Sequence, residues 1–350
     1  MAEVFLAVEE CPHAGRRFVT IKRIRDEHAG DPDFTDFFLT EGRITLLLAH
    51  PNLPQGYALG VVDERYYLSM EFIHGHNLLD IIRASIRKGK PLSVGAVVTM
   101  ALGVSAALEH AHGRCDVDGA RLDVIHRDVT PQNIMVSTSG VVKLIDFGIV
   151  RAAIQVHETR TGIVKGKVAY MAPEQLRGRD HIDQRADLFA LGVVMWESLC
   201  ARPLFRAGSE LETVQRVRSM PIPDPRLYRT DVPPPVSAVV LKALARNPDE
   251  RYPSATAMMS ALEQVAEHCR IVPSAVRLRR EIAQLCGVPE LPAVPPALPP
   301  RPEDAASTAR MPTSRPHESG LFGDPLLVYF LRQTGARLPA RAAQEHAGTS

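Results

Sequence analysis

The segment His-Arg-Asp-Val-Thr-Pro-Gln-Asn, His126 to Asn133, sets a carboxylate, Asp128, a few positions ahead of an amide, Asn133. A second carboxylate, Asp146, opens Asp-Phe-Gly after a short apolar stretch. An amide oxygen and a carboxylate suit Mg²⁺, a hard cation that keeps several of its waters. Near the N-terminus Lys22 closes the strand-like Val-Thr-Ile-Lys, and Glu41 lies in a helical pattern beyond it, a cation and an anion available to pair. Each residue also has a plainer reading. Lys and Glu mostly sit solvated on surfaces, and Asp and Asn recur in turns because they hydrogen-bond locally. What favours chemistry is the order of all five, followed by Ala-Pro-Glu at Ala172–Glu174.

These motifs resemble the eukaryotic-like (Hanks-type) serine/threonine protein kinases of bacteria, over residues 1 to about 268. The resemblance implies ATP- and Mg²⁺-dependent transfer of a γ-phosphoryl group to Ser or Thr of a protein substrate, which needs charge neutralisation and alignment more than covalent chemistry. At the matching positions, Asp128 is implied as the base for the substrate hydroxyl and Asn133 and Asp146 as Mg²⁺ ligands. Lys22 is implied as the clamp on the α- and β-phosphates and Glu41 as its partner. Val4 falls in the roof over adenine, Met70 at the gatekeeper, Glu71 to Ile73 in the hinge whose backbone meets adenine, and Met135 in the floor. Arg127 is implied to pair with a phosphate on the loop between Asp146 and Glu174, where Thr159 and Thr161 are candidates for self-phosphorylation. Glu174 with Arg251 is implied as a buried ion pair, and Asp187 as a tether for the catalytic-loop backbone.

Three departures from the family pattern stand out. The glycine-rich loop that folds over the ATP phosphates ends on Val4, so its third glycine position is Ala2, and the first two, with the strand before them, fall ahead of Met1. The expectation is an internal start, with a strand and two glycines upstream in frame, or else a pseudokinase-like binding module of weak turnover. Thr20 stands where the family usually carries Ala. Thr130 stands where Ser/Thr kinases usually carry Lys, and Lys167 where they usually carry Thr. Both positions converge on one small volume in the family, so the exchange is expected to keep a cation and a hydroxyl there. Lys167 would approach the γ-phosphate and Thr130 would hydrogen-bond near Asp128. The Ala-Pro-Glu segment and the long loop before it disfavour a small-molecule phosphotransferase.

The elements that must position these residues follow from pattern. Val4, Leu6 and Val8 alternate as on a strand, with Phe5 and Ala7 opposite, and Phe18–Lys22 and Tyr66–Phe72 read as further strands. Loss of the preceding strand would leave the first as a bare edge. Phe34, Phe37, Phe38, Ile44 and Leu48 recur at helical spacing; Val94–His112, Leu188–Leu199 and residues 254–268 read as helices. The expected fold is α+β: a kinase domain over 1–268, with an antiparallel small lobe (1–73) and a helical large lobe (74–268). A helical extension (269–286), a Pro-rich linker (287–319) and a tail (320–350) follow. At 45% apolar residues and net charge +1, the chain has material for a core and no strong field for nucleic acid or an anionic membrane. Five scattered Cys suggest buried thiols in a reducing cytoplasm. No apolar run approaches the length of a membrane span, and Leu326–Leu331 is far too short for one.

Overall fold

A computed structural model describes residues 2–11, 15–28, 30–116, 118–147, 166–178, 182–291 and 328–331. Thr159, Thr161 and most of the Pro-rich linker and tail lie outside the described residues. Ala2–Cys11 (β1) and Gly15–Ile24 (β2) form an antiparallel pair with Val4 opposite Lys22 and Ala7 opposite Val19. Leu6, Ala7 and Val8 are all buried, so the middle of β1 is covered on both faces, while Val4 is 57% exposed.

Pro32–Leu47 (α1) starts on Asp31, whose carboxylate accepts from the Asp33 and Phe34 N–H groups, and Pro32 sits where its missing N–H costs nothing. Gly56–Val62 (β3) and Arg65–Glu71 (β4) complete the first four strands, in the order β3-β4-β2-β1. Phe38 of α1 packs with Ile24, Leu68 and Met70, which fixes the helix over the sheet. Beyond β1, Val328–Leu331 (β8) adds a fifth strand, with Leu6 opposite Leu331 and Glu9 opposite Val328. The expectation of a bare edge is thus corrected, because a segment from the end of the chain pairs along Leu6–Glu9.

The large lobe begins with Gly75–Asn77 (β5), Leu78–Arg87 (α2) and Val94–His112 (α3). Ile134–Ser137 (β6) and Val142–Leu144 (β7) join β5 in a three-stranded sheet. Arg185–Cys200 (α4), Glu210–Ser219 (α5), Pro234–Ala243 (α6), Ala255–His268 (α7) and Ala275–Cys286 (α8) follow. By length and composition α3 is apolar enough to cross a bilayer, contrary to the expectation that no segment is. Its apolar side chains instead pack in the large-lobe core with Leu188, Leu191, Met258 and Leu278. Among the described residues four cysteines are free; Cys115 is exposed and Cys200, Cys269 and Cys286 are half-buried, which corrects the reading of buried thiols.

α8 locks onto the back of the large lobe. Glu281 accepts from both the backbone N–H and the hydroxyl of Ser93 (2.6 Å each). His74 and His76, just past the hinge, donate through Nε2 to the Pro289 and Gly287 carbonyls (2.7 and 3.2 Å). Gly140, at φ +87°, lies against the start of α8, where a Cβ would stand 2.0 Å from the Ala275 carbonyl oxygen. A side chain there meets both a disfavoured backbone and a fixed carbonyl. Gly140→Ala is expected to lower the unfolding free energy by about 2 kcal/mol or more, measured by equilibrium urea denaturation.

Candidate active site

The floor of the interlobe cleft is organised by Asp187, in the first turn of α4 and 1% exposed. Its Oδ2 accepts from the His126 N–H (2.8 Å) and lies 2.8 Å from His112 Nε2; its Oδ1 accepts from the Arg127 N–H (2.7 Å). Burial disfavours the charge, yet the His112 hydrogen bond and the contributions of His112 and His126 outweigh it and hold the carboxyl below its usual range. This grip keeps Arg127 at φ +63°, a left-handed conformation that a non-glycine residue adopts only when its surroundings impose it. Asp146 is held similarly, at φ +57°.

His126 links the two halves of the floor. Its Nδ1 accepts from the Asp128 N–H (3.3 Å), so the ring proton lies on Nε2, which donates to the Ile145 carbonyl (3.2 Å). The ring packs against Phe147, centroids 4.7 Å apart. Full burial pushes the imidazole pKa down, consistent with a neutral ring. The chain then turns through Pro131–Asn133. Asn133 Nδ2 donates to the Asp128 carbonyl (2.9 Å) and to Asp128 Oδ2 (2.7 Å), which leaves its amide oxygen as the group able to ligate.

From the small lobe, Lys22 on β2 reaches down with Nζ 2.5 Å from Glu41 Oε1 of α1 and 3.2 Å from Asp146 Oδ1. Burial alone would lower its pKa, but Asp146 and Glu41 outweigh that and raise it above the ordinary lysine range. In turn, Lys22 is the largest influence holding the Asp146 carboxyl below its ordinary value. One ammonium thus joins strand, helix and catalytic floor. Lys167 Nζ lies 2.8 Å from Asp128 Oδ2, with only 15% of its side chain exposed. The expected hydrogen bond of Thr130 near Asp128 is not made: Thr130 Oγ1 is buried with no partner among the described residues. Asp128 Oδ2 already receives Asn133 and Lys167.

Met70 is 9% exposed and packs with Ile24, Phe38 and Leu68, and Met135 lies on β6 opposite Lys143. The Glu71 N–H is committed to the Gln55 carbonyl (2.8 Å), so of the hinge residues proposed for adenine Glu71 can offer only its carbonyl. Its side chain is held by Lys143 Nζ (2.8 Å), which also donates to the Leu53 carbonyl (2.9 Å). Lys143 and His112 are positioning residues the motifs do not reveal. Both act from outside the motif segments, and neither carries a local signal in the sequence. Glu174 and Arg251 form a buried two-pronged pair (2.7 and 2.8 Å) that joins the Ala-Pro-Glu segment to the turn before α7.

The protein kinase domain model matches residues 2–264. The chain belongs to the protein kinase family. Its kinase domain is similar to the tyrosine-protein kinase MasK of Myxococcus xanthus, 38% identical over 269 residues, 77% of this chain and 42% of that one. It is also similar to the serine/threonine-protein kinases PknB of Mycolicibacterium smegmatis (35% identical; 90% of this chain, 47% of that one) and PknL of Mycobacterium tuberculosis (34%; 77% and 64%). The chain therefore spans about two fifths to two thirds of the length of these relatives. The crystal structure of the Mycobacterium tuberculosis PknI kinase domain superposes with a TM-score of 0.55 at 25% identity, covering 75% of this chain and 90% of that one. The kinase fold expected from the motifs is the fold observed, with the antiparallel lobe above the helical one.

The buried neutral His126 makes the kinase domain sensitive to acid. Unfolded, the imidazole titrates near its ordinary 6.5; folded, it titrates lower. As pH falls through 6.5 toward the folded value the unfolded chain binds more protons, so stability falls over that window. His126→Asn is expected to lower the melting temperature at about pH 7.5, yet to lose less than wild type between about pH 7.5 and about pH 5.5. Paired thermal melts at the two pH values check this.

Proposed function

We propose that this kinase domain transfers the γ-phosphoryl group of ATP, in the presence of Mg²⁺, to a serine or threonine hydroxyl of a protein. The observation that carries the reading is Lys22, bridging Glu41 and Asp146 across the cleft. An ammonium buried beside two carboxylates is costly to maintain unless its position matters, and here it stands ready to meet phosphate oxygens. The donor set fits a hard cation: the Asp146 carboxylate, 42% exposed, and the Asn133 amide oxygen. When bound, Mg²⁺ neutralises charge on the phosphates. The chain's own residues do the rest. Lys22 holds the α- and β-phosphates, Glu41 holds Lys22, and the hinge at Glu71–Ile73 with Met70, Met135 and Val4 encloses the adenine.

The substrate oxygen attacks the γ-phosphorus, its proton passes to the Asp128 carboxylate, and the bond to the β-phosphate oxygen breaks with its electron pair leaving on ADP. Asp128 is kept in place by Asn133 and by the His126 ring. Arg127 is proposed to receive a phosphate on the loop that bears Thr159 and Thr161. Tyrosine is a second reading for the acceptor. The name of the Myxococcus xanthus relative favours it, and so does the absence of a lysine at position 130.

Incubation with γ-labelled ATP and Mg²⁺, followed by phosphoamino-acid analysis, tests the reading. Phosphoserine or phosphothreonine is expected, and phosphotyrosine alone would move the assignment to the second reading. Asp128→Asn is expected to lower kcat by a factor on the order of 100 to 10,000 while ATP still binds. Lys22→Ala is expected to weaken ATP binding itself, by equilibrium titration. Label transfer that survives in Asp128→Asn at the wild-type rate would sink the proposal.

A further inference from the structure

Two unusual features lie near Asp128, one two residues after it in sequence and one paired with its side chain. Thr130 is 3% exposed, and its hydroxyl oxygen is buried without a hydrogen-bond partner among the described residues. Buried polar groups are nearly always paired, so this orphan two residues from Asp128 calls for an explanation. Beside it, Lys167 extends its ammonium to 2.8 Å from Asp128 Oδ2. Lys167 therefore stands against the proposed base.

The backbone that delivers Lys167 is held in place. Gly166 precedes it at φ +114°, where a Cβ would lie 2.7 Å from Arg206 Nη2, so a side chain would be strained and crowded there. After it, Val168–Tyr170 forms a tight turn, closed by the Tyr170 N–H on the Lys167 carbonyl (3.0 Å). Val168 and Ala169 are buried, and the Tyr170 hydroxyl donates to Glu197 Oε2 of α4 (2.6 Å). A solvated loop lysine would show none of this anchoring.

We propose that Lys167 supplies, from the segment after the activation loop, the transition-state cation that the catalytic loop lacks, and that the Thr130 hydroxyl donates to an oxygen of the same transferring phosphoryl group. This rests on the phosphotransfer reading above and adds two catalytic residues to it. An ammonium has three N–H donors, so Lys167 can keep Asp128 and still reach a phosphoryl oxygen. As the bond to the β-phosphate oxygen breaks and the bond to the substrate oxygen forms, charge spreads over the equatorial oxygens. A cation fixed there gains most at that moment. Asp128 takes the proton and Lys167 keeps its own, so no further reactant is needed. Because the cation sits outside the catalytic loop, the site is complete only when the Gly166–Met171 turn is formed.

The test uses the full chain and two probes. The first is kcat and ATP affinity on a fixed serine peptide that the wild type phosphorylates. The second is the binding of ADP with Mg²⁺, with and without AlF4⁻, which imitates the transferring phosphoryl group and needs no protein substrate. For Lys167→Ala, kcat is expected to fall on the order of 100-fold with ATP affinity changed less than about threefold. The gain in ADP affinity on adding AlF4⁻ should shrink by a similar factor, with ADP alone unaffected. Lys167→Thr combined with Thr130→Lys, which moves the cation to the catalytic loop, should recover at least about tenfold over Lys167→Thr alone in both probes. Thr130→Val, which removes only the hydroxyl, should reduce the AlF4⁻ gain without changing ADP affinity. A Lys167→Ala protein with an undiminished AlF4⁻ gain overturns the assignment, as does a transposed variant no better than Lys167→Thr. If the wild type phosphorylates no peptide, the phosphotransfer reading falls, while the AlF4⁻ arm still decides whether Lys167 answers to that geometry.

Discussion

The catalytic floor depends on one buried carboxylate. Asp187 takes two backbone N–H groups of the catalytic loop and the ring of His112, and these together outweigh the cost of burying its charge. The consequence is geometric. With His126 and Arg127 fixed at their amides, the chain is obliged to pass through a left-handed residue at Arg127. That turn aims Asp128 into the cleft, while the His126 ring faces Ile145 and Phe147. A left-handed non-glycine residue costs on the order of 1–3 kcal/mol, and the Asp187 hydrogen bonds are what hold it. Removing that carboxylate would leave two buried N–H groups unpaired and release the loop.

Above the floor, a second charged centre sets the relation of the lobes. Lys22 belongs to β2, Glu41 to α1 and Asp146 to the segment after β7. Its two ion pairs therefore register the position of α1 against both the sheet and the floor. The apolar contact of Phe38 with Leu68 and Met70 fixes the helix to the sheet, and the ion pair fixes its rotation. Behind the cleft, Lys143 ties β7 to Glu71 at the end of β4, so the hinge strand is braced by a large-lobe cation. Both contacts are charge-assisted, and in each the lysine is largely buried.

The C-terminal part of the chain touches both lobes. α8 is held by Ser93, and its exit runs past His74 and His76 at the hinge, while β8 lies along β1. Backbone pairing at β1 satisfies polar groups that an edge would otherwise leave to solvent. These contacts join distant parts of the sequence, which raises the loop-closure cost before any of them forms.

The motifs of the candidate site were legible because they are local. His126–Asn133, Asp146–Phe147 and Ala172–Glu174 are short segments whose residue types answer to their immediate neighbours. Several helices were legible for the same reason: Val94–His112 starts on Ser93, whose hydroxyl caps the Ala96 N–H, and runs to Gly113. Sequence alone did not reveal His112 under Asp187, Lys143 under the hinge, β8 on β1, or the burial of β1 on both faces. Each of these joins positions far apart in the chain, and neither periodicity nor spacing carries information about such a partner. The exchange of Thr130 and Lys167 shows the division most clearly. Set against the pattern of the family it resembles, the sequence disclosed that a cation and a hydroxyl had traded places. Only the tertiary structure decided that the cation returns to Asp128 and that the hydroxyl has no partner among the described residues, because both outcomes depend on distances between segments that the chain does not encode locally.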